Sequence, residues 1–146
     1  MTTYSLTIPG TPIGKARPRI TRGGIAYTPK ETKNYETFIR ELFALKHGSI
    51  MLRGDIKATL TAYFGLNKSD YNKTGLTKTG KRKLAGEVRP SKKPDIDNIV
   101  KAVLDSLNGI AYIDDSQVVV LAVEKHYAEQ PRVEIVLSEI AEEVKS

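Results

Sequence analysis

The 146-residue chain has no cysteine and no tryptophan, only 2 histidines, and few other aromatics, with 7 Tyr and 3 Phe. Without cysteine there is no disulfide, no thiolate zinc site and no cysteine nucleophile, and a reducing compartment is compatible with that. No apolar run approaches the roughly 20 residues needed to span a bilayer. The first residues, Met1 to Leu6, carry neither a basic region nor a long apolar stretch, so no signal peptide is read and no membrane association is expected. What is present is a globular balance of 40% apolar and 27% charged residues. The length suits one domain, residues 1–146, with a single core.

The net charge of +6 conceals an asymmetry. Residues 1–65 hold 10 Lys/Arg against 4 Asp/Glu, residues 66–93 hold 9 against 2, and residues 94–146 hold 4 against 11. A basic first two-thirds is joined to an acidic last third. Such a chain has one part suited to a polyanion and another suited to a cation. The same totals also describe a solvated lysine-rich loop beside ordinary acidic helices.

Hydrophobic periodicity gives the element order. Thr3 to Ile8 alternates and reads as a strand, ended by Pro9, Gly10, Pro12 and Gly14. A loop lined by Lys15, Arg17, Arg19 and Arg22 follows, with no acidic residue between them. Thr28-Pro29-Lys30-Glu31 has capping-box spacing with proline at the expected first helical position. Tyr35, Phe38, Ile39, Leu42 and Leu45 continue that helix to a stop at Gly48. Asp55 to Phe64 alternates as a second strand.

Residues 66–93 are rich in Lys, Gly and Thr and have no clear period. They read as a long basic loop, or as a loop with a short basic helix near Thr79 to Leu84. Asp95 to Leu107 forms a second helix whose stripe of Ile96, Ile99, Val100, Val103, Leu104 and Leu107 is core. Strands follow at Gln117–Tyr127 and Arg132–Ser138, and residues 139–146 are expected to fray. The consecutive Val118-Val119-Val120-Leu121 suggests burial on both faces of its strand. The expected fold is α+β, β-α-β-α-β-β, with two helices packed on a mixed sheet and a long basic loop.

Chemistry concentrates in the acidic third. Side chains two residues apart diverge on a helix, so Asp95 and Asp97 converge only if Asp95 is non-helical, most simply as the N-cap. Capping and compensation of the helix dipole are the ordinary uses of such a pair. Lys101 lies four residues after Asp97 on the same flank. A second pair, Asp114-Asp115, precedes the third strand and could face Asp95 and Asp97 if that strand starts near the helix N-terminus. Clustered carboxylates repel unless a cation neutralises them, and oxygen-only ligation suits Mg²⁺ or Mn²⁺. Metal so held ionises water at neutral pH for attack on phosphorus. His47, ending the first helix, and His126, late in a strand, read as structural.

The run Pro94-Asp95-Ile96-Asp97-Asn98, then Lys101, Asp105 and Leu107, then Ile113-Asp114-Asp115-Ser116-Gln117-Val118, resembles the RusA family of Holliday-junction resolvases. The N-terminal strand, basic Gly/Pro loop and first helix extend the likeness over nearly the whole chain, weakening at 66–93. The resemblance implies a Mg²⁺-dependent homodimeric endonuclease of bacteria and their phages, cytoplasmic, nicking four-way DNA junctions symmetrically in recombination and repair. It makes Asp95, Asp97 and Asp115 the metal-binding carboxylates, with Asp114 the less defined member of its pair, and Lys101 the catalytic lysine. Asp105 is left a structural role. Lys15, Arg17, Arg19, Arg22, Lys81, Arg82, Lys83, Lys92 and Lys93 would then track phosphate backbones, giving affinity without sequence reading.

Two rivals use fewer of these residues. A haloacid-dehalogenase-type phosphatase needs an apolar strand before its D-x-D, where Ser91-Lys92-Lys93-Pro94 stands here. A non-catalytic basic DNA-binding module accounts for the lysines but leaves the spacing of Asp95, Asp97, Lys101 and Asp115 without a purpose.

Overall fold

The alternating and helical patterns assemble into two layers. The computed structural model describes residues 2–16, 19–27 and 29–140. Arg17, the expected cap Thr28 and residues 141–146 of the expected tail lie outside them. The main sheet has four strands, β1 (Thr3–Pro9), β4 (Ile56–Phe64), β7 (Val118–Tyr127) and β8 (Arg132–Glu139), in the order β1-β8-β4-β7. The β1/β8 and β8/β4 pairs are antiparallel and β4/β7 is parallel. Two-residue strands make two small ribbons, β2 (Arg19–Ile20) with β3 (Ala26–Tyr27), and β5 (Tyr71–Asn72) with β6 (Gly75–Leu76).

Two long helices supply the second layer, α1 (Lys30–His47) and α3 (Ile96–Ser106). A parallel strand pair needs a crossover, and α3 lies in the one joining β4 to β7. The core takes Ile56, Ala58, Leu60, Ala62 and Phe64 from one face of β4, as their alternation requires. Ile39 and Phe43 of α1 and Ile99, Val103 and Leu104 of α3 close over it, followed by Leu107. Each such side chain contributes about 1.5–3 kcal/mol of burial. The mixed α+β arrangement is therefore the one expected from sequence.

Four local expectations change. Helix α1 starts at Lys30 with Pro29 as its N-cap, so proline stands one place earlier than expected and no side chain caps the end. Within residues 66–93 the short basic helix expected near Thr79 to Leu84 is present as α2 (Lys78–Leu84), and what changes is the added β5/β6 ribbon. Strand β8 runs through Glu139, and the Ile140 N–H donates to the Asp55 carbonyl at 2.7 Å, so the first two residues of the expected frayed tail are anchored.

The largest change concerns β7. It is an edge strand, and Val119, Val120 and Leu121 are 57%, 43% and 46% exposed rather than buried on both faces. A register shift at Ile56/Lys57 leaves Val119 out of the ladder with β4. An apolar run reports hydrophobicity, not how many neighbours a strand has.

Both histidines make contacts within the fold. His47 in the last turn of α1 bonds the Ser5 carbonyl at 2.7 Å and packs between Tyr4 and Phe43. His126 stacks on Tyr63 and approaches Arg89.

Candidate active site

Asp95 occupies the N-cap of α3 in extended conformation, and Asp97 lies in the first turn, the arrangement their two-residue spacing requires. The Asp95 carboxylate makes no capping hydrogen bond, so it is not consumed by the helix it begins. Both aspartates are exposed at the positive end of the helix dipole.

The segment before α1 pins this end of α3. The Lys15 N–H donates to the Asn98 carbonyl at 3.0 Å. A Cβ on Gly14 would stand 2.7 Å from Pro94 Cβ and 3.1 Å from Asn98 Cβ. Gly14→Ala is therefore expected to push the strap off the motif and destabilise the fold by about 1–3 kcal/mol, measured by thermal or denaturant unfolding. Lys125 adds a bond from its ammonium to the Pro94 carbonyl at 3.0 Å.

Further along the same flank of α3 lie Lys101 and Asp105, with Lys101 Nζ 3.6 Å from Asp105 Oδ2. Lys101 remains 63% exposed. Lys15 reaches in from its strap to bridge Asp105 at 2.9 Å and Glu36 of α1 at 2.8 Å. Its ammonium thus joins α1 to α3 instead of facing open solvent.

Asp115 opens a 3-10 turn, Asp115–Gln117, just before β7, and its side chain meets that of Asp105. Burial would raise the Asp105 pKa, but the Lys15 hydrogen bond and charge outweigh it and hold the group below the usual carboxylate range. Asp115 goes the other way. Its burial, its hydrogen bond to Asp105 and the nearby charges of Asp105 and Asp114 raise it. The charge that Lys15 holds on Asp105 thus works against ionisation of Asp115. Behind them Tyr112 is fully buried, donating its hydroxyl to the Leu104 carbonyl. Burial and the three neighbouring aspartates keep that phenol protonated.

Asp114 has a different task. It caps the 3-10 turn by accepting from the Ser116 N–H at 3.0 Å, and its hydrogen bonds to Ser116 lower its pKa. Gln117 completes the turn, accepting from the Ile113 and Asp114 N–H groups and donating to the Leu52 and Gly54 carbonyls. Asp114 therefore acts as the clamp that aims Asp115.

The structure thus assembles Lys15, Lys101, Asp105 and Asp115, and places Asp95 and Asp97 on the N-terminal turn of the same helix. Asp97 and Asp105 are about 12 Å apart along the axis at the usual helical rise. Among the described residues no three His, Cys, Asp or Glu are gathered closely enough to hold a metal. Asp115 meets Asp105 rather than converging with Asp95 and Asp97. Asp105, which the sequence assigns a structural role, does pair with Lys15 and Lys101, and its i,i+8 spacing from Asp97 puts it near the same flank as Asp115's contact.

The expected phosphate-tracking residues divide. Arg19 and Ile20 form half of the small β2/β3 ribbon, and Arg22 lies exposed in its turn. Lys81 and Arg82 are exposed, whereas Lys83 turns inward onto Asp70 at 2.9 Å. Lys92 lies over the rings of Phe64 and Tyr127, and Lys93 is exposed.

Residues 9–138 match the family described as endodeoxyribonuclease RusA. The chain belongs to the RusA endodeoxyribonuclease family. The uncharacterized protein YqaN of Bacillus subtilis strain 168 is 34% identical over 145 residues, covering 97% of this chain and 99% of that protein. The matched span includes Asp95, Asp97, Lys101, Asp105 and Asp115, so the acidic flank of α3 and the turn before β7 belong to a nuclease scaffold. No helix among the described residues is long and apolar enough to cross a membrane.

Proposed function

We propose that this RusA-family protein is a Mg²⁺-dependent endonuclease that resolves four-way DNA junctions by paired hydrolysis of phosphodiesters. The observation that supports it best is the set of acidic side chains along one flank of α3, with Asp95 free of its capping role and Asp115 aimed at Asp105. Two carboxyls in contact must share a proton or a cation, and an all-oxygen donor set suits Mg²⁺, with Mn²⁺ as substitute. Asp95, Asp97 and Asp115 would hold the ion, which requires them to draw closer than they stand in the metal-free chain, where Asp115 meets Asp105 instead. When bound, such an ion supplies Lewis acidity and an ionised water at neutral pH.

The remaining tasks fall to the chain. Lys101, exposed between the two acidic ends of α3, is placed to neutralise the scissile phosphate. Asp114 and Gln117 fix the turn that carries Asp115, and Lys15 holds Asp105 charged. Arg19, Arg22, Lys81, Arg82 and Lys93 contribute affinity for phosphate backbones.

Paired incision needs two sites, and a two-fold dimer supplies them. The unpaired edge of β7, with half-exposed Val119, Val120 and Leu121, is the surface we assign to a second copy of this chain. Leu121→Lys is expected to give a folded monomer, read by light scattering, that no longer cuts both strands in one binding event. A wild-type chain that stays monomeric at micromolar concentration and with junction bound would contradict the assignment.

The nuclease reading is tested by incubating the protein with labelled four-way junctions in Mg²⁺, in Mn²⁺ and in EDTA. Nicking in the metals and none in EDTA is expected. Binding without nicking, across several junction sequences and both metals, would leave a non-catalytic DNA-binding module instead.

A further inference from the structure

The parallel pairing of β4 with β7 sets Val123 opposite Leu60, Lys125 opposite Ala62 and Tyr127 opposite Phe64. Leu60, Ala62 and Phe64 form the buried face of β4. Lys125 therefore stands on the face of β7 that turns toward the core, where the alternation calls for an apolar side chain. A cation placed there gives up water and needs other partners.

Its hydrogen-bond partners both come from the segment that leads into the acidic motif. Lys125 Nζ donates to the Lys92 and Pro94 carbonyls, at 2.5 and 3.0 Å, and lies 5.1 Å from the centroid of the Phe64 ring. The Lys92 ammonium stands 5.7 Å from the same ring, so the two carbonyls also offset repulsion between two cations.

The segment has little else to hold it. Among the described residues, 88–94 make one hydrogen bond between main-chain groups, from the Ser91 N–H to the Arg89 carbonyl. Arg89 returns to the same strand, donating to the Glu124 carboxylate and the Lys125 carbonyl at 3.3 Å each. Asp95 follows Pro94 directly, and its carboxylate makes no capping bond with α3. The place of Asp95 is therefore set by the chain that enters the helix.

We infer that Lys125 is a positioning residue for Asp95 and Asp97. It ties the entry of α3 to the end of β7, and its charge is spent on main-chain carbonyls rather than on DNA. The inference rests on the nuclease reading above and adds the side chain that sets the first two carboxylates of the motif. Strand β7 thereby serves the acidic flank at both ends, since the turn bearing Asp115 opens it and Lys125 lies near its close. A purely structural need at this position would be met as well by an apolar side chain of the same length.

The test compares Lys125→Met and Lys125→Arg with wild type. Methionine keeps the stem and suits the apolar face. The Ile99 N–H donates to the Asp95 carbonyl at 3.1 Å, closing the first turn of α3, and its hydrogen exchange is read by NMR in the metal-free protein. In Lys125→Met that exchange is expected to be about tenfold faster, the scale of a lost charged hydrogen bond. The Leu60 amide of β4, exchanging as in wild type, shows that the fold is intact. The Mg²⁺-dependent nicking rate at saturating protein is expected to fall by about 10–100-fold, the usual effect of losing a partner that orients a ligand. The salt dependence of junction binding is expected to stay as in wild type, whereas a lost phosphate contact would make its slope shallower by about 0.9. Lys125→Arg keeps a cation with donors for both carbonyls and is expected to recover slow exchange and rate together. Wild-type exchange and rate in Lys125→Met, exchange and rate that move separately in either variant, or a shallower salt slope overturns the positioning role and leaves the nuclease reading standing. A wild-type protein that nicks no junction overturns that reading itself, and the positioning role with it.

Discussion

Asp115→Asn is expected to reduce Mg²⁺-dependent nicking by about 10²–10⁴-fold while junction binding stays within a few-fold of wild type. The magnitude follows from the several kcal/mol of charge stabilisation that a carboxylate-held cation supplies, at about 1.4 kcal/mol per tenfold in rate. Asparagine keeps the shape of the side chain and removes its charge. Its effect on folding should have the opposite sign to its effect on catalysis. Asp115 stands against Asp105 with its pKa raised by burial and by that neighbour, so its ionised form is a cost to the metal-free fold. The variant should therefore melt no lower than wild type. Asp95→Asn should lose activity on the same scale, because no capping hydrogen bond gives that carboxylate another purpose. Full activity in either variant, measured on the same junction, would remove that residue from the site.

Lys15→Met is the second large effect, and it acts on stability and site together. Lys15 lies between Glu36 and Asp105 with only 22% of its side chain exposed, and both partners are comparably sheltered. Removing it leaves two partly buried carboxylates without their cation, next to a third at Asp115. The expected loss is about 1–3 kcal/mol of unfolding free energy, less than for a fully buried pair because all three groups still reach water. Methionine preserves most of the stem, so lost packing is not the cause. Lys15→Arg should recover much of the stability. Asp105, freed of Lys15, should also titrate higher in the metal-free protein, observable by carboxyl NMR. A Lys15→Met protein with wild-type stability and an unmoved Asp105 would show that the bridge has no structural importance.

The stretches that sequence reveals are those whose partners are local or periodic. Strand β4 alternates over nine residues and sits where that pattern puts it, and α3 buries its apolar stripe from Ile99 onward, while Ile96 of its first turn, expected in the core, is 38% exposed. The N-cap position of Asp95 is equally local, since only a non-helical Asp95 lets two carboxylates two residues apart converge. Relations between distant segments do not show in this way. Lys15 and Asp105 are 90 residues apart, and nothing in a basic loop distinguishes the lysine that will enter an ion pair. Lys81 and Lys83 look alike in sequence, yet one faces solvent and the other is drawn inward by Asp70, 13 residues before it. The edge position of β7 depends on which strand fails to find a second neighbour, and that is a property of the whole sheet.

The same distinction applies to Asp105. Its spacing from Asp97 and Lys101 places it on their flank, but its importance comes from Asp115, which a clamp of Asp114, Ser116 and Gln117 carries to it from another element.

If the acidic flank of α3 is a metal-dependent hydrolytic centre, it acts on branched DNA in preference to linear duplex. The most direct measurement maps incisions on a four-way junction labelled on two opposing strands, beside a linear duplex of the same sequence, in Mg²⁺. The expected result is paired nicks at symmetry-related positions of the junction, none on the linear duplex, and none on either substrate with EDTA. Junctions bound but left intact in Mg²⁺ and Mn²⁺, or equal cutting of the linear duplex, would contradict it.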